Sequence, residues 1–222
     1  MRATAVERAY AVNEVFYSLQ GEGVRAGTAN VFVRFAGCNL TCSKDGEAGF
    51  DCDTEFLSGR KLSLGGLHAE VLGAIEREAG HEESTPARWI IFTGGEPGLQ
   101  VDVALVDFMH KVGFSLAIES NGTISLPSGL DWVCVSPKSA EHTIRQETCD
   151  EVKYVRNYGQ GIPRPRIAAT HKLISPAFRT LHSPNGPIHE PEPGAMEWCV
   201  KLVKENPEWR LSVQQHKQWK VR

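Results

Sequence analysis

The chain has 222 residues, 41% of them apolar and 23% charged, with a formal net charge of -3, which suits one domain with a small elaboration. That charge leaves no electrostatic footprint for nucleic acid and no polybasic membrane patch. No apolar run approaches the ~18 residues needed to span a bilayer, and Met1 is followed by polar and charged residues rather than an apolar signal region, so a cytoplasmic location is expected.

In chain order, Asn13-Glu14-Val15-Phe16-Tyr17 is strand-like and Gln20-Gly21-Glu22-Gly23 makes a glycine turn. Val31 to Phe35 reads as a second strand that runs into Gly37-Cys38. Residues 64–79 carry Leu64, Leu67, Val71, Leu72 and Ile75 at helical spacing. Trp89-Ile90-Ile91-Phe92 is a continuous apolar run, of the kind buried on both faces of a parallel sheet; Thr93-Gly94-Gly95-Glu96-Pro97 follows it. A second helix fits 99–112. Further strands are expected at 116–118, ending in Glu119-Ser120-Asn121-Gly122, and at 132–135, ending in Ser136-Pro137-Lys138. Two more fit 151–155 and 171–174, then a helix over 196–203 and a last strand over 210–214.

Strands alternating with polar loops and helices argue for an α/β fold with a mostly parallel sheet. The chain is short for a closed eight-fold barrel of ~250 residues, so an open, partial β/α barrel in a single domain spanning 1–222 is the expected architecture. Residues 156–194, rich in proline and glycine, read as loop-rich. Ligands of parallel sheets gather beyond the C-terminal strand ends, and that is where the cysteines, TGGEP, ESNGT and SPK fall.

Three of the six cysteines, Cys38, Cys42 and Cys52, lie within one stretch. In a reducing compartment clustered thiols are ligands or catalysts more often than disulfides, whereas Cys134, Cys149 and Cys199 stand alone and read as small core residues. The trio allows three readings. A structural zinc site wants four ligands, and His68 or His81 could complete it, though neither has a familiar spacing. An iron–sulfur cluster takes thiolates, and three of them leave one iron open to a small molecule. Unrelated thiols are the third reading. Taken singly, Arg34 would be a surface or salt-bridged strand residue, Thr54 a helix or turn cap, Glu119-Ser120-Asn121-Gly122 an ordinary turn and His216 a surface histidine.

Together these stretches carry a resemblance. Tyr17 to Gly23, Val33 to Leu40, Cys52-Asp53-Thr54, Thr93 to Pro97, Glu119 to Thr123, Val135 to Lys138 and the tail Leu211 to Lys217 resemble, in order, the 7-carboxy-7-deazaguanine synthases of the radical S-adenosylmethionine superfamily. One departure is the nine residues between Cys42 and Cys52, where the superfamily usually has two; Lys44 to Phe50 reads as an inserted turn.

The resemblance implies a four-iron cluster on Cys38, Cys42 and Cys52, with S-adenosylmethionine on its open iron. Cofactor contacts are implied for Asp51, Cys52, Asp53, Gly94, Gly95, Glu96, Glu119, Asn121, Ser136, Pro137, Lys138 and Ser175, the last where relatives often have Gln. Thr54 is implied to bind Mg2+, which takes few protein ligands. Leu19, Gln20, Gly21, Glu22, Arg34, Thr93, Gln214 and His216 are implied to face the substrate, 6-carboxy-5,6,7,8-tetrahydropterin. Arg34 suits its carboxylate, because a guanidinium pairs with two oxygens at once. The implied reaction is a radical ring contraction with loss of ammonia, S-adenosylmethionine being regenerated. A homodimer and an external, flavodoxin-type electron donor are implied too, and no nucleic-acid or membrane partner. A glycyl-radical-enzyme activase of the same superfamily and a non-catalytic zinc module are the competing readings.

Overall fold

The structure is a computed structural model that describes residues 8–79, 88–183 and 186–221, apart from 44, 47, 49–51 and 53. Strands β1 (Tyr10–Leu19), β2 (Ala29–Phe35) and β3 (Arg60–Leu62) are followed by helix α1 (Leu64–Ala79). Then come β4 (Trp89–Gly94), α2 (Val103–Lys111), β5 (Ser115–Ser120), β6 (Trp132–Val135), β7 (Thr148–Arg156) and β8 (Ala168–Pro176). The chain continues through a hairpin, β9 (Phe178–Ser183) with β10 (Gly186–Pro191), to α3 (Ala195–Glu205), β11 (Trp209–Leu211) and α4 (Gln215–Trp219).

Nine strands form one sheet in the order β11-β8-β7-β6-β5-β4-β2-β1-β3. From β2 to β11 every pairing is parallel, and β1 joins antiparallel between β2 and β3. The sheet ends in two edge strands rather than closing on itself, as expected of a partial barrel.

Register explains how the sequence divides between the two faces, because successive side chains in a strand point oppositely. On one face Val31, Val33, Phe35, Ile90, Phe92, Leu116 and Ile118 pack with Leu67, Val71 and Ile75 of α1 and Leu105, Val106 and Met109 of α2. Each such side chain contributes roughly 1.5–3 kcal/mol on full burial. A second core gathers Val135, Val152, Tyr154, Ile174 and Trp209 around Cys199 of α3. The other, concave face carries Arg34 beside Thr93, and Glu119, Cys134 and Glu151 in one row. Both cores lie beneath the helices; the concave face carries polar residues toward the C-terminal strand ends, with Phe16, Phe32, Ile91 and Ala117 in the register rows before them.

Some boundaries differ from the sequence reading. The helix expected over 99–112 starts at Val103, because the Asp102 side chain accepts from Leu105 N and caps it, while Pro97–Leu99 makes a 3-10 turn. The strand expected over 210–214 stops at Leu211, and residues 215–219 are helical. Within 156–194, read as loop-rich, the chain forms β8 and the β9–β10 hairpin, with Ser183 paired to Gly186.

Candidate active site

Gly37, at φ +90, turns the chain off the end of β2. Its amide donates to Phe56 O at 2.8 Å, closing the thiol loop at its base. Cys38 and Cys42 are half-buried and Cys52 is exposed. Burial pushes the Cys38 and Cys42 thiols up; Cys52 raises both a little further, and the Lys138 ammonium draws Cys42 back down. The Cys52 thiol donates to Thr54 O at 3.6 Å, which sets Thr54 next to it.

The trio shares one patch without being tight enough for a single ion. Tetrahedral zinc at about 2.3 Å from each sulfur holds its ligand sulfurs roughly 3.8 Å apart. Among the described residues the one group of three potential ligands within 4.8 Å is Glu119, Cys134 and Glu151. His68 stands edge-on to Phe108 and Phe114 beneath the sheet, and His81 lies outside the described residues. Three thiols more widely set, at the mouth of a polar face, suit a multi-iron cluster. Asp51 and Asp53 lie outside the described residues, as do positions 44, 47, 49 and 50 of the inserted turn.

The glycines of TGGEP have a packing reason. A Cβ on Gly94, at φ +127, would stand 2.2 Å from Phe35 O, and one on Gly95 would stand 2.1 Å from Gly37 O. Only bare backbone lets the end of β4 lie against the thiol loop, and Glu96 N then donates to Gly37 O at 2.9 Å. The Glu96 carboxylate is fully buried. It accepts from Gly98 N at 2.8 Å, Ser120 Oγ at 2.8 Å and Asn121 N at 2.7 Å. Burial pushes Glu96 up, and those three donors oppose the shift. Asn121 Nδ2 donates to Asn39 Oδ1 at 3.0 Å, and Asn39 Nδ2 donates to Thr123 Oγ1 at 2.8 Å. The thiol loop, the β4 loop and the β5 loop are thus tied into one rim.

Below the rim, the loop after β1 folds across the concave face. Gln20 Nε2 donates to Glu119 Oε1 at 2.9 Å, and Val24 N to Glu151 Oε2 at 2.8 Å. The tail crosses this loop. Gln215 N donates to Gly21 O at 2.9 Å, and Gln214 Nε2 to Glu22 Oε1 at 2.7 Å. A Cβ on Gly21 would strike the His216 ring 2.2 Å away, so His216 packs on that glycine. Leu19, ending β1, leads into this floor.

Arg34 Nε donates to Glu14 Oε1 at 2.9 Å, with Thr93 beside it on the next strand. On the far side Lys138 Nζ donates to Ser136 Oγ at 2.8 Å, and Ser136 Oγ to Lys153 O at 3.0 Å. Pro137 separates the two, and Ser175 is buried at the end of β8. The structure therefore brings the described candidate residues to one face and its rim, from Leu19 in β1 to His216 in α4.

The sequence reading missed Glu14, Asn39, Thr123, Glu151 and Lys153. A signal existed for the last two: Glu151 and Lys153 alternate with Val152 and Tyr154 along β7, the period of a strand with one polar face.

An open parallel sheet with three thiols off the end of β2, and the glycine loop of β4 against them, defines a partial-barrel protein of the radical S-adenosylmethionine type. The crystal structure of QueE from Escherichia coli has this fold, with a TM-score of 0.61 at 24% identity over 94% of this chain and 95% of that one. No family model matches the chain. It is 40% identical to the 7-carboxy-7-deazaguanine synthase of Bradyrhizobium diazoefficiens, over 96% of this chain and 99% of that protein. It is 40% identical to that of Bordetella pertussis (94% and 97%) and 39% identical to that of Bacteroides thetaiotaomicron (93% and 95%). The chain belongs to the 7-carboxy-7-deazaguanine synthase family.

Proposed function

We propose that the chain converts 6-carboxy-5,6,7,8-tetrahydropterin to 7-carboxy-7-deazaguanine with loss of ammonia, a carbon–nitrogen lyase reaction in deazapurine (queuosine) biosynthesis. The observation that carries this is the convergence, on one concave face, of the thiol rim with Arg34, Thr93, Glu22 and Gln214, in a chain that matches the family over nearly its whole length.

Cys38, Cys42 and Cys52 would hold the four-iron cluster. Gly94, Gly95 and Glu96 would hold the methionyl end of S-adenosylmethionine, with Glu119, Asn121, Ser136, Lys138 and Ser175 along its polar groups. When bound, cluster and cofactor supply a one-electron bond cleavage and a reversible hydrogen abstraction; the net reaction consumes no S-adenosylmethionine.

The protein's share is positioning and exclusion. Arg34, with Nε held by Glu14, has its remaining guanidinium donors for the substrate carboxylate. Thr54, beside Cys52, would hold Mg2+ against that carboxylate. Gln20, Glu22, Gln214 and His216 form a floor of acceptors and donors for the pterin ring. The tail laid over the β1–β2 loop keeps water from below.

The proposal extends to a homodimer fed by a flavodoxin-type donor, with no nucleic-acid or membrane partner. A net charge of -3 supports the former exclusion, and among the described residues no helix is long and apolar enough to cross a membrane. Anaerobically purified enzyme should be brown, with about four irons per chain. Reduced, and given S-adenosylmethionine, Mg2+ and the carboxytetrahydropterin, it should form the deazapurine. An intact cluster without product would refute the function.

A further inference from the structure

Beneath the proposed pterin site lies a buried cation. Lys153 projects from β7 onto the concave face, its side chain 8% exposed. Its ammonium donates to Glu22 Oε2 in a short contact and lies 3.7 Å from Glu119 Oε2. Glu22 belongs to the loop laid over the sheet, and Glu119 to the end of β5, near the rim. One ammonium therefore ties the floor to the strand that carries the rim.

Glu22 has a second partner, since Gln214 Nε2 donates to Oε1 at 2.7 Å. A carboxylate offers about four lone-pair sites. Lys153 and Gln214 take one on each oxygen, so each oxygen keeps one more. A pterin presents its ring N–H and its 2-amino group side by side along one edge, two donors that a bidentate acceptor matches. A protonated acid would instead set an O–H against them. Burial would push Glu22 up; the Lys153 charge and its hydrogen bond, the Gln214 hydrogen bond and the His216 charge outweigh it and bring Glu22 to about 2.

We infer that Lys153 is a positioning residue of the substrate site, holding and orienting the Glu22 carboxylate as the two-point acceptor for the amino-lactam edge of the pterin. This rests on the reading of Glu22 as a substrate contact. Lys153 acts on the pterin through Glu22, its nearer partner, while Glu119, on the side assigned to S-adenosylmethionine, lies farther off at 3.7 Å. The neighbouring Glu119–Cys134–Glu151 group is the acidic side of the same buried network.

The test is a double-mutant cycle on anaerobic, cluster-loaded enzyme with S-adenosylmethionine and no reductant, so that no turnover occurs. Equilibrium dialysis measures the Kd of 6-carboxy-5,6,7,8-tetrahydropterin for wild type, Lys153→Met, Glu22→Gln and the double variant. Each single change is expected to weaken pterin binding about tenfold or more, and to change the Kd of S-adenosylmethionine by less than it changes that of the pterin. In the Glu22→Gln background Lys153→Met should then cost less than about threefold. A Lys153→Met enzyme that binds the pterin like wild type overturns the inference. A further tenfold loss in the Glu22→Gln background overturns it as well. Should Lys153→Met alone fail to fold by circular dichroism, the double variant against Glu22→Gln decides, since the Lys153–Glu22 pair is absent from both and the contact with Glu119 at 3.7 Å is the one that changes. Equal pterin affinity there supports the role and a tenfold loss refutes it. Wild-type enzyme that binds no pterin overturns the functional reading and this role together. If wild type makes the deazapurine and Lys153→Met binds pterin normally, the role of Lys153 alone falls.

Discussion

Gly95 lies directly against Cys38. A methyl group on Gly95 would stand 2.8 Å from the Cys38 Cβ and 2.1 Å from the Gly37 carbonyl oxygen. The second of these is backbone and cannot turn aside, so Gly95→Ala should push the thiol loop off its seat. Iron content per chain is expected to fall well below wild type. Gly65→Ala is the control: a Cβ at that position in α1 meets nothing within 4 Å. There the chain should gain up to about 1 kcal/mol and keep its iron.

Glu96→Gln tests the rim. The buried carboxylate accepts from Gly98 N, Ser120 Oγ and Asn121 N. An amide sets N–H against N–H on one side. Urea denaturation should show a loss of about 1–3 kcal/mol, the cost of an unmet buried group. Asn121 loses its anchor at the same time, so S-adenosylmethionine affinity should fall with stability.

Arg34→Ala should raise the KM for the carboxytetrahydropterin roughly 10–100-fold, the scale of a charge-assisted hydrogen bond. Arg34 lies on the strand leading into the thiol loop, but its partner is Glu14 rather than a thiol. Iron content is therefore expected to match wild type, and iron loss in this variant would contradict the assigned part. Glu14→Gln should give a smaller shift in the same direction, because it loosens Arg34 without removing it.

Glu22 predicts an acid dependence. Its folded pKa of about 2 lies below the ordinary 4.5, so the folded state favours the charged form. The resulting contribution, on the order of 3 kcal/mol, is present above the ordinary value and is lost as pH falls toward 2. Burial pushes Glu96 and Glu151 up, so their effect runs the other way and must be cancelled by comparison. Denaturation midpoints of wild type and Glu22→Gln should differ most near neutral pH, with the gap narrowing below pH 4.5. A gap that stays constant down to pH 3 would refute the depressed value.

The sequence exposes much of this fold because β4 to β8 carry β-branched, apolar runs that end abruptly in polar loops. Residues 64–79 were readable as α1 because one apolar stripe recurs at helical spacing. The β9–β10 hairpin hid behind Pro184 and Pro187, because proline within a run argues against a strand. Within the site, Cys38, Gly95 and Glu96 were legible from short motifs. Lys153 was not, since its meaning depends on register. Only the pairing of β7 with β6 and β8 shows that it faces Glu22 rather than solvent. Asn39 likewise gains significance from Thr123, 84 residues away.

The floor joins Gln214 to Glu22 across 192 residues and Ser212 to Gly23 across 189. Contacts of such separation carry a large loop-closure cost and form once the intervening sheet has gathered their ends. During synthesis, then, the three thiols emerge early and the floor late. A nascent chain halted before residue 212 would carry the three thiols proposed to hold the cluster while the floor still lacks Ser212 and Gln214. Oxygen and water could reach the cluster from beneath, so productive cluster insertion is expected to follow completion of the tail.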